Sequence, residues 1–196
     1  MNRSLKKSIL LMVVASGAAG IAGMRASAST SAVRREAPAR IVADLSDKIL
    51  YLYDGDSIGE MYDIADGTVE YPTPKGAFNI RKLTWNPSWT PPDSKWAKTK
   101  TAKEPGHPQN PMKVVKIFFK EPDYYIHGTA DIASLGSADS HGCLRMAPED
   151  VMKVGRWVMD HGGQPHEENW FKRILHSRSE EKLIYLAEPV SMTVQD

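Results

Sequence analysis

The sequence predicts a mainly β domain, either a sandwich or a partly closed barrel, with one or two peripheral helices. Most of the chain after residue 40 consists of short apolar runs separated by turn residues, which is typical of an antiparallel sheet. Only two stretches have the periodicity of a helix. With 196 residues, of which 41% are hydrophobic, the chain is long enough for one such domain and short for two.

Residues 1–28 have the pattern of a signal peptide. Basic residues near the N-terminus precede an uncharged stretch over residues 8–24, and Ala26-Ser27-Ala28 has the small-x-small form of a cleavage site. An uncleaved anchor is the alternative, although the stretch is shorter than the roughly 20 apolar residues that a membrane span needs. Both interpretations predict an exported domain, in the periplasm or cell envelope.

The charge and the single cysteine narrow the function. Cleavage after residue 28 removes four of the 25 basic residues and none of the 24 acidic ones, which leaves a net charge of −3 and argues against nucleic-acid binding. Exported proteins normally pair their cysteines as disulfides. Cys143 has no partner in the chain, so we predict that its thiol is functional.

The strands are predicted in order along the chain. Residues 29–39 lack periodicity and are interpreted as a linker, and residues 40–196 as the catalytic domain. The first three apolar runs are separated by short turns, which predicts a β-meander. The strand candidates are 41–45, 49–53, 58–64, 77–80, 114–119, 124–126, 183–186 and 190–194.

Two helices and one long loop complete the domain. Pro148 suits a first helical position, an apolar stripe follows it, and Gly162-Gly163 would end the helix. A weaker helix is predicted at about residues 167–176. Residues 81–111 are polar and rich in proline and tryptophan, so we interpret them as a functional or disordered loop, either packed on the sheet or contacting substrate.

The residues that carry chemistry lie in two segments, Tyr125-Ile126-His127-Gly128-Thr129 and Ser140-His141-Gly142-Cys143-Leu144-Arg145-Met146. A thiol attacks carbonyls as the thiolate, and because its free pKa is about 8.5 it needs a neighbouring imidazole or cation. His141 is two residues from Cys143 and His127 is sixteen residues away. Sequence spacing alone does not decide which histidine serves the thiol.

Gly142 and Arg145 complete the candidate site. Gly142 lets the backbone adopt conformations closed to other residues, which would leave nearby amides facing an oxyanion. Arg145 is a candidate carboxylate-binding or structural cation. Each residue alone has an ordinary explanation, such as a structural histidine or a surface ion pair, but their co-occurrence favours a cysteine enzyme.

These segments resemble those of the L,D-transpeptidases of bacterial cell walls, the YkuD or ErfK type. Residues 126–129 and 140–146 match the family signature, including the separation of its histidine and cysteine. Residues 71–80 resemble the family's Thr-Pro-x-Gly-x-Phe-x-Ile pattern, and residues 86–92 are similar to the tryptophan-bearing loop of ErfK-like members. The similarity extends from about residue 41 to residue 194.

The resemblance implies a YkuD-like fold and a role for each candidate residue. Cys143 would be the nucleophile and His127 the proton donor and acceptor, with its ring oriented by the Gly128 carbonyl. His141 becomes a supporting residue that shapes the loop, and amides near Gly142 and Cys143 would form the oxyanion hole. The predicted catalytic set is therefore Cys143, His127, His141 and Gly142, and the substrate-binding set is Trp89, Gly128, Thr129, Ser140 and Arg145.

The activity implied by the resemblance is peptidoglycan L,D-transpeptidation. The thiol would attack the carbonyl of the L-centre residue of a stem peptide, release the terminal D-amino acid and pass the acyl group to an amine, forming a 3,3 crosslink or a lipoprotein anchor. An L,D-carboxypeptidase on the same substrate is the alternative. The implied partners are peptidoglycan stem peptides, a wall lipoprotein as one acceptor, and carbapenem-type β-lactams as covalent inhibitors, with no cofactor, metal or nucleic acid.

Two rival classes and one departure remain. A zinc peptidase could use His107, His127, His141 and Cys143 as ligands, but no H-E-x-x-H or paired-cysteine spacing is present. A non-catalytic wall-binding domain could use the tryptophans of the long loop as a platform. The family often has Asn-Pro-Leu-Gly where this chain has Asn110-Pro111-Met112-Lys113, so a charged side chain replaces a glycine beside the expected groove.

Overall fold

The computed structural model describes residues 38–196, and these form a mainly β fold with two α-helices, as predicted. The predicted signal peptide and residues 29–37 of the predicted linker lie outside the described residues. The strands are β1 (Arg40–Asp44), β2 (Ile49–Asp54), β3 (Ser57–Asp63), β4 (Asp66–Gly67), β5 (Gly76–Trp85), β6 (Val115–Lys120), β7 (Tyr124–Gly128), β8 (Ala138–Ser140), β9 (Leu144–Met146) and β10 (Lys182–Gln195). The helices are α1 (Pro148–His161) and α2 (Glu168–Leu175).

Eight strands form one sheet in the order β3-β2-β1-β10-β5-β6-β7-β9, and β4 pairs with β8 separately. The β1–β10 and β7–β9 pairs are parallel, and the other pairs in the large sheet are antiparallel. Ala65, two residues after β3, exchanges two backbone hydrogen bonds with Arg145 in β9, at 3.0 and 2.8 Å. Because β3 and β9 are the two outer strands, this bridge nearly closes the sheet, which agrees with the predicted partly closed barrel.

Helix α1 covers the sheet and buries its apolar stripe. It contacts β6, β7 and β10, and its residues Val151, Val154 and Val158 are fully buried. Trp85, at the end of β5, is also fully buried and packs edge-on against Phe171 of α2, with ring centroids 4.9 Å apart. The burial of these side chains is the main stabilising contribution to the face of the sheet behind the cleft described below.

The strands differ most from the prediction at β5 and β10, and the short strands β4, β8 and β9 were not predicted. Strand β5 continues to Trp85, so the long loop begins only at Asn86; the prediction ended this strand at residue 80 because the polar residues that follow hid the alternation. The two final strand candidates form one strand, β10, whose register shifts between Tyr185 and Val190. None of the helices within residues 38–196 has the length and apolar character needed to cross a bilayer.

The loop after β5 is tied down at several points. Asn86 has a positive φ of 47°, and its Nδ2 contacts the carbonyl oxygens of Ile174, Ser177 and Glu180 at 2.8 to 3.0 Å. Trp89 is buried and exchanges two backbone hydrogen bonds of 2.8 Å with Lys103. A short 3-10 helix at Lys95–Ala97 lies between these residues. The tryptophan-bearing loop is thus held in a defined conformation at the end of β5.

Candidate active site

The register of three neighbouring strands brings the candidate residues together. His127 in β7 lies opposite Lys116 in β6 and opposite Arg145 in β9, so the three form one row across the sheet. Tyr125 lies two residues before His127 and therefore faces the same side. Since β7 and β9 are parallel neighbours, Cys143, immediately before β9, falls beside Tyr125, two residue positions along the strand from the row of His127.

This face of the sheet forms one wall of a cleft of about 1310 Å³. The opposite wall comes from the tryptophan-bearing loop and the segment before β6. Of the predicted site residues, the cleft is lined by Trp89, His127, Thr129, Ser140, His141, Cys143 and Arg145. Both candidate histidines therefore share the cleft with the thiol.

A tight turn presents Cys143 to the cleft. The buried Ser140 hydroxyl donates to the Cys143 carbonyl at 2.5 Å and accepts from the Gly142 amide at 3.0 Å. Gly142 has φ +103°, and a β-carbon there would lie 2.8 Å from the ring of Tyr124, so only glycine fits without strain. Because the Gly142 amide is engaged by Ser140, the Cys143 amide is the candidate oxyanion donor that remains of the predicted pair.

The thiol of Cys143 is only partly exposed, and it donates to the Asp123 carbonyl at 3.3 Å. Burial raises its pKa to about 11. Hydrogen bonds from the backbone and hydroxyl of Tyr125 oppose this rise, and the nearby charges of Lys116 and Arg145 oppose it further. At neutral pH the free protein therefore holds a protonated thiol rather than a thiolate.

His127 is 5% exposed, and its Nδ1 lies 2.8 Å from the Gly128 carbonyl. A carbonyl only accepts, so in the neutral ring Nδ1 carries the hydrogen and Nε2 is left as a proton acceptor. Burial lowers the pKa of His127 to about 4, and the charges of Arg145 and Lys116 lower it further, against the carbonyls of Gly128 and Pro111. The cleft thus holds a neutral imidazole and a neutral thiol on one face of the sheet. General-base activation of a nucleophile requires groups of these two kinds.

His141 lies on the other side of the cleft opening and has aromatic partners. Its ring stacks on Trp96 with centroids 4.0 Å apart and an interplanar angle of 21°, and it contacts Tyr71 at 4.9 Å. These contacts join the cysteine-bearing turn to the tryptophan-bearing loop. The supporting role that the resemblance implies for His141 stays a prediction.

The remaining predicted residues occupy distinct positions. Arg145 donates to Asp139 at 2.9 Å. Thr129 is buried, its amide donates to the Met146 carbonyl at 2.9 Å, and its hydroxyl accepts from Asp131. Gly128 reaches the site through its carbonyl, and a β-carbon there would lie 2.9 Å from Lys113.

Sequence reasoning missed two residues that line the cleft, Tyr125 and Lys116. The i, i+2 spacing of Tyr125 and His127 was a usable signal, because alternate residues of a strand share a face. Lys116 gave no signal, since its position opposite His127 depends on strand register. Lys113, which replaces the family's usual glycine, has φ +44° and donates to the Pro108 carbonyl at 2.7 Å, so this position has the backbone conformation that favours glycine.

No group of three or more His, Cys, Asp or Glu side chains that could hold a metal ion occurs within the described part of the chain. The four residues weighed as zinc ligands therefore do not form such a group there.

A family model for the L,D-transpeptidase catalytic domain, YkuD, matches residues 38–167. The chain belongs to the L,D-transpeptidase family. Among curated L,D-transpeptidase relatives, it is 30% identical to YkuD of Bacillus licheniformis over 121 residues, which are 62% of this chain and 61% of that one. It is 29% identical to ErfK/SrfK of Escherichia coli over 119 residues, 57% of this chain and 38% of that one. The matches thus span about three fifths or less of these relatives' own length.

Solved structures of L,D-transpeptidases share the fold. The enzyme from Mycobacterium smegmatis aligns with a TM-score of 0.50 at 14% identity, covering 82% of this chain and 59% of that one. L,D-transpeptidase 3 from Mycobacterium tuberculosis, in complex with a faropenem-derived adduct, aligns with a TM-score of 0.50 at 16% identity, covering 81% and 60%. At these identities the likeness establishes the L,D-transpeptidase fold alone.

Proposed function

We propose that this L,D-transpeptidase family member is an exported cysteine acyltransferase that acts on peptidoglycan stem peptides. The observation that carries the proposal is the meeting of Cys143 and His127 in one cleft, with His127 held by the Gly128 carbonyl so that its Nε2 can accept a proton. Family membership supports the substrate class. Export rests on the signal-peptide pattern of residues 1–28.

In the first half-reaction the sulfur of Cys143 attacks the carbonyl carbon of the L-centre residue at stem position three. The thiol proton passes to Nε2 of His127, and the carbonyl oxygen becomes an oxyanion near the Cys143 amide. The carbon–nitrogen bond then breaks, and His127 returns the proton to the nitrogen of the leaving D-amino acid. A thioester remains on Cys143 and His127 is neutral again.

In the second half-reaction an amine replaces the departed amino acid. His127 takes a proton from the attacking amine and delivers it to the sulfur as the thioester breaks. An amine of another stem peptide gives a 3,3 crosslink, and an amine of a wall lipoprotein gives an anchor. Water in the same position would make the protein an L,D-carboxypeptidase, which is the alternative reading of this site.

The thiol chemistry is tested by mass spectrometry of the intact protein after incubation with a carbapenem. A structural neighbour carries a faropenem-derived adduct, which supports a β-lactam as the probe. We expect a covalent adduct on the wild type and none on Cys143→Ala. A wild type that stays unmodified, or an adduct that persists in Cys143→Ala, would overturn the assignment of the nucleophile.

The acyl acceptor is identified by incubating the protein with a disaccharide-tetrapeptide and measuring the product masses by mass spectrometry. A crosslinked dimer indicates transpeptidation between stems, and a tripeptide alone indicates carboxypeptidase activity. Exchange of the terminal residue for an added D-amino acid indicates a free amino acid as acceptor. A substrate that remains intact in every reaction would contradict the proposed substrate class.

A further inference from the structure

The cleft is richer in positive charge than the chain as a whole. The complete sequence has nearly equal numbers of basic and acidic residues, 25 and 24. The cationic side chains that line the cleft are Lys100, Lys103, Lys113, Lys116 and Arg145, and the acidic ones are Asp123 and Asp131. A cleft lined mainly by one sign of charge favours a ligand of the opposite sign.

Most of these cations already have partners within the chain. Arg145 is paired with Asp139 at 2.9 Å. Lys113 donates to the Pro108 carbonyl at 2.7 Å and Lys103 to the Thr101 hydroxyl at 2.9 Å. Arg145, the carboxylate-binding candidate from sequence, therefore has its charge partly neutralised by a neighbour.

Lys116 is partly buried and, like Lys103 and Lys113, has no ion pair among the described residues. It differs from them in its place on the sheet, in the row with His127 and Arg145. Its Nζ donates to the Ser88 carbonyl at 3.0 Å, which uses one of the three hydrogens of an ammonium group. Glu181 accepts from the Ser88 amide at 2.6 Å, so it lies nearby without contacting Nζ as an ion pair. Burial lowers the pKa of Lys116, which marks a charge that is short of solvation.

Lys116 also lies beside the reacting groups. It is the cross-strand partner of His127, so the Cα atoms of the two are about 5 Å apart. Its charge acts on both the thiol of Cys143 and the ring of His127. In the proposed mechanism His127 protonates the nitrogen of the leaving amino acid, and the carboxylate of that amino acid is attached to the carbon next to this nitrogen.

We infer that Lys116 binds the terminal carboxylate of the amino acid that the enzyme releases. The inference rests on the proposed function, and it makes Lys116 a specificity-determining residue that restricts cleavage to the end of a stem peptide. A donor whose last residue is amidated, or extended by a further residue, lacks a carboxylate at this place and loses the contact.

The test is a binding measurement that does not depend on turnover. Calorimetry with Cys143→Ala protein compares a stem tetrapeptide ending in D-alanine with the same peptide ending in D-alanine amide. We expect the acid to bind about 10- to 100-fold more tightly, the range for one hydrogen bond between charged groups. Adding Lys116→Met should remove this preference, and Lys116→Arg should restore most of it.

Lys120→Met is the matched control. Lys120 lies on the same strand, and its Nζ lies 5.3 Å from the ring of Tyr124, as that of Lys116 does from the ring of Tyr125. Lys120 is exposed and lies outside the cleft lining, so this variant should keep the preference for the acid. The inference would be overturned if Lys116→Met still preferred the acid. It would also be overturned if the Cys143→Ala protein with Lys116 intact bound acid and amide equally, or bound neither.

The same peptides separate this inference from the proposed function. If protein with an intact Cys143 binds the acid through Lys116 but releases no D-alanine, the transpeptidase mechanism fails while the role of Lys116 stands. If the acid donor releases D-alanine and the amide donor releases D-alanine amide at equal rates, and Lys116→Met changes neither rate, the mechanism stands and the role of Lys116 fails.

Discussion

At the scale of single residues, burial keeps the thiol of Cys143 in its neutral form, so a base must remove its proton before the sulfur can attack. This differs from sites in which a charged imidazole keeps the sulfur ionised. His127 cannot play that part while its own pKa is near 4, so in the proposed mechanism it accepts the thiol proton during attack. The chemistry of the site therefore depends on how substrate binding changes the solvation of these two groups.

The first prediction concerns the reactivity of the free thiol. Because the pKa of Cys143 is about 11, alkylation by iodoacetamide at pH 7 should be about 100-fold slower than that of free cysteine and should keep rising beyond pH 9. The rate is measured from the mass of the Cys143 peptide at a series of pH values, with free cysteine as the reference. A plateau reached below pH 8 would instead indicate a preformed thiolate.

The second prediction concerns Tyr125, whose hydroxyl bonds to the sulfur and lowers its pKa. Removing that hydroxyl in Tyr125→Phe should raise the pKa of the thiol, so the alkylation rate at pH 8 should fall several-fold. Tyr124→Phe is the control, because Tyr124 is the adjacent tyrosine on the same strand. Equal rates for wild type and Tyr125→Phe would show that the hydroxyl does not act on the thiolate.

At the scale of elements, the turn before β9 depends on a conformation that only glycine accepts easily. Gly142 combines a positive φ with a close approach to the ring of Tyr124. The Ser140 hydroxyl closes the turn by accepting from the Gly142 amide and donating to the Cys143 carbonyl. The turn thus fixes the direction in which the sulfur points. Any side chain at Gly142 must displace either the backbone of the turn or the tyrosine ring.

The third prediction compares two glycines. Gly142→Ala and Gly136→Ala each place a side chain at positive φ, which costs about 1 to 3 kcal/mol. The β-carbon at Gly136 meets nothing within 4 Å, whereas that at Gly142 lies 2.8 Å from Tyr124. Gly142→Ala should therefore be the more destabilised in urea unfolding, and it alone should slow carbapenem acylation. If the two variants lost stability equally and were acylated at equal rates, the contact between position 142 and Tyr124 would have no role.

The elements with clear local signals were predictable from sequence. The start of α1 at Pro148 and its end before Gly162 are confirmed, because proline and glycine act at the boundaries themselves. Strands β8 and β9 were missed, since three residues are too few to show alternation. The row formed by Lys116, His127 and Arg145 could not be predicted either, because it depends on the register of three strands that are distant in sequence.

At the scale of the whole molecule, the burial of the site makes the stability of the fold depend on pH. His127 has a pKa of about 4 in the folded chain and about 6.5 when solvated. As the pH falls below 6.5 the unfolded chain takes up a proton that the folded chain does not. This residue therefore lowers the free energy of unfolding progressively between about pH 6.5 and pH 4.

The fourth prediction follows from this linkage. The contribution of His127 should reduce the free energy of unfolding by about 3 kcal/mol between pH 7 and pH 4. Urea unfolding of the wild type and of His127→Gln is measured at several pH values. The difference between the two free energies of unfolding gives the contribution of His127, because both proteins share the other titrating groups. The difference in stability between the two proteins should narrow as the pH falls. Parallel curves for the two proteins would contradict a buried neutral histidine.

The bridge between Ala65 and Arg145 affects which part of the protein unfolds first when it is heated. These two residues complete the near-closure of the sheet, and Arg145 lies only two residues after Cys143. Backbone hydrogen bonds from Gly136 to Ile64 and from Thr68 to Ser140 flank this bridge, so the seam joins the first part of the sheet to the cysteine-bearing turn. Fraying at the seam should loosen that turn while β9 is still paired with β7. We expect heating to displace the thiol by a local opening at the seam, before the rest of the sheet and α1 unfold.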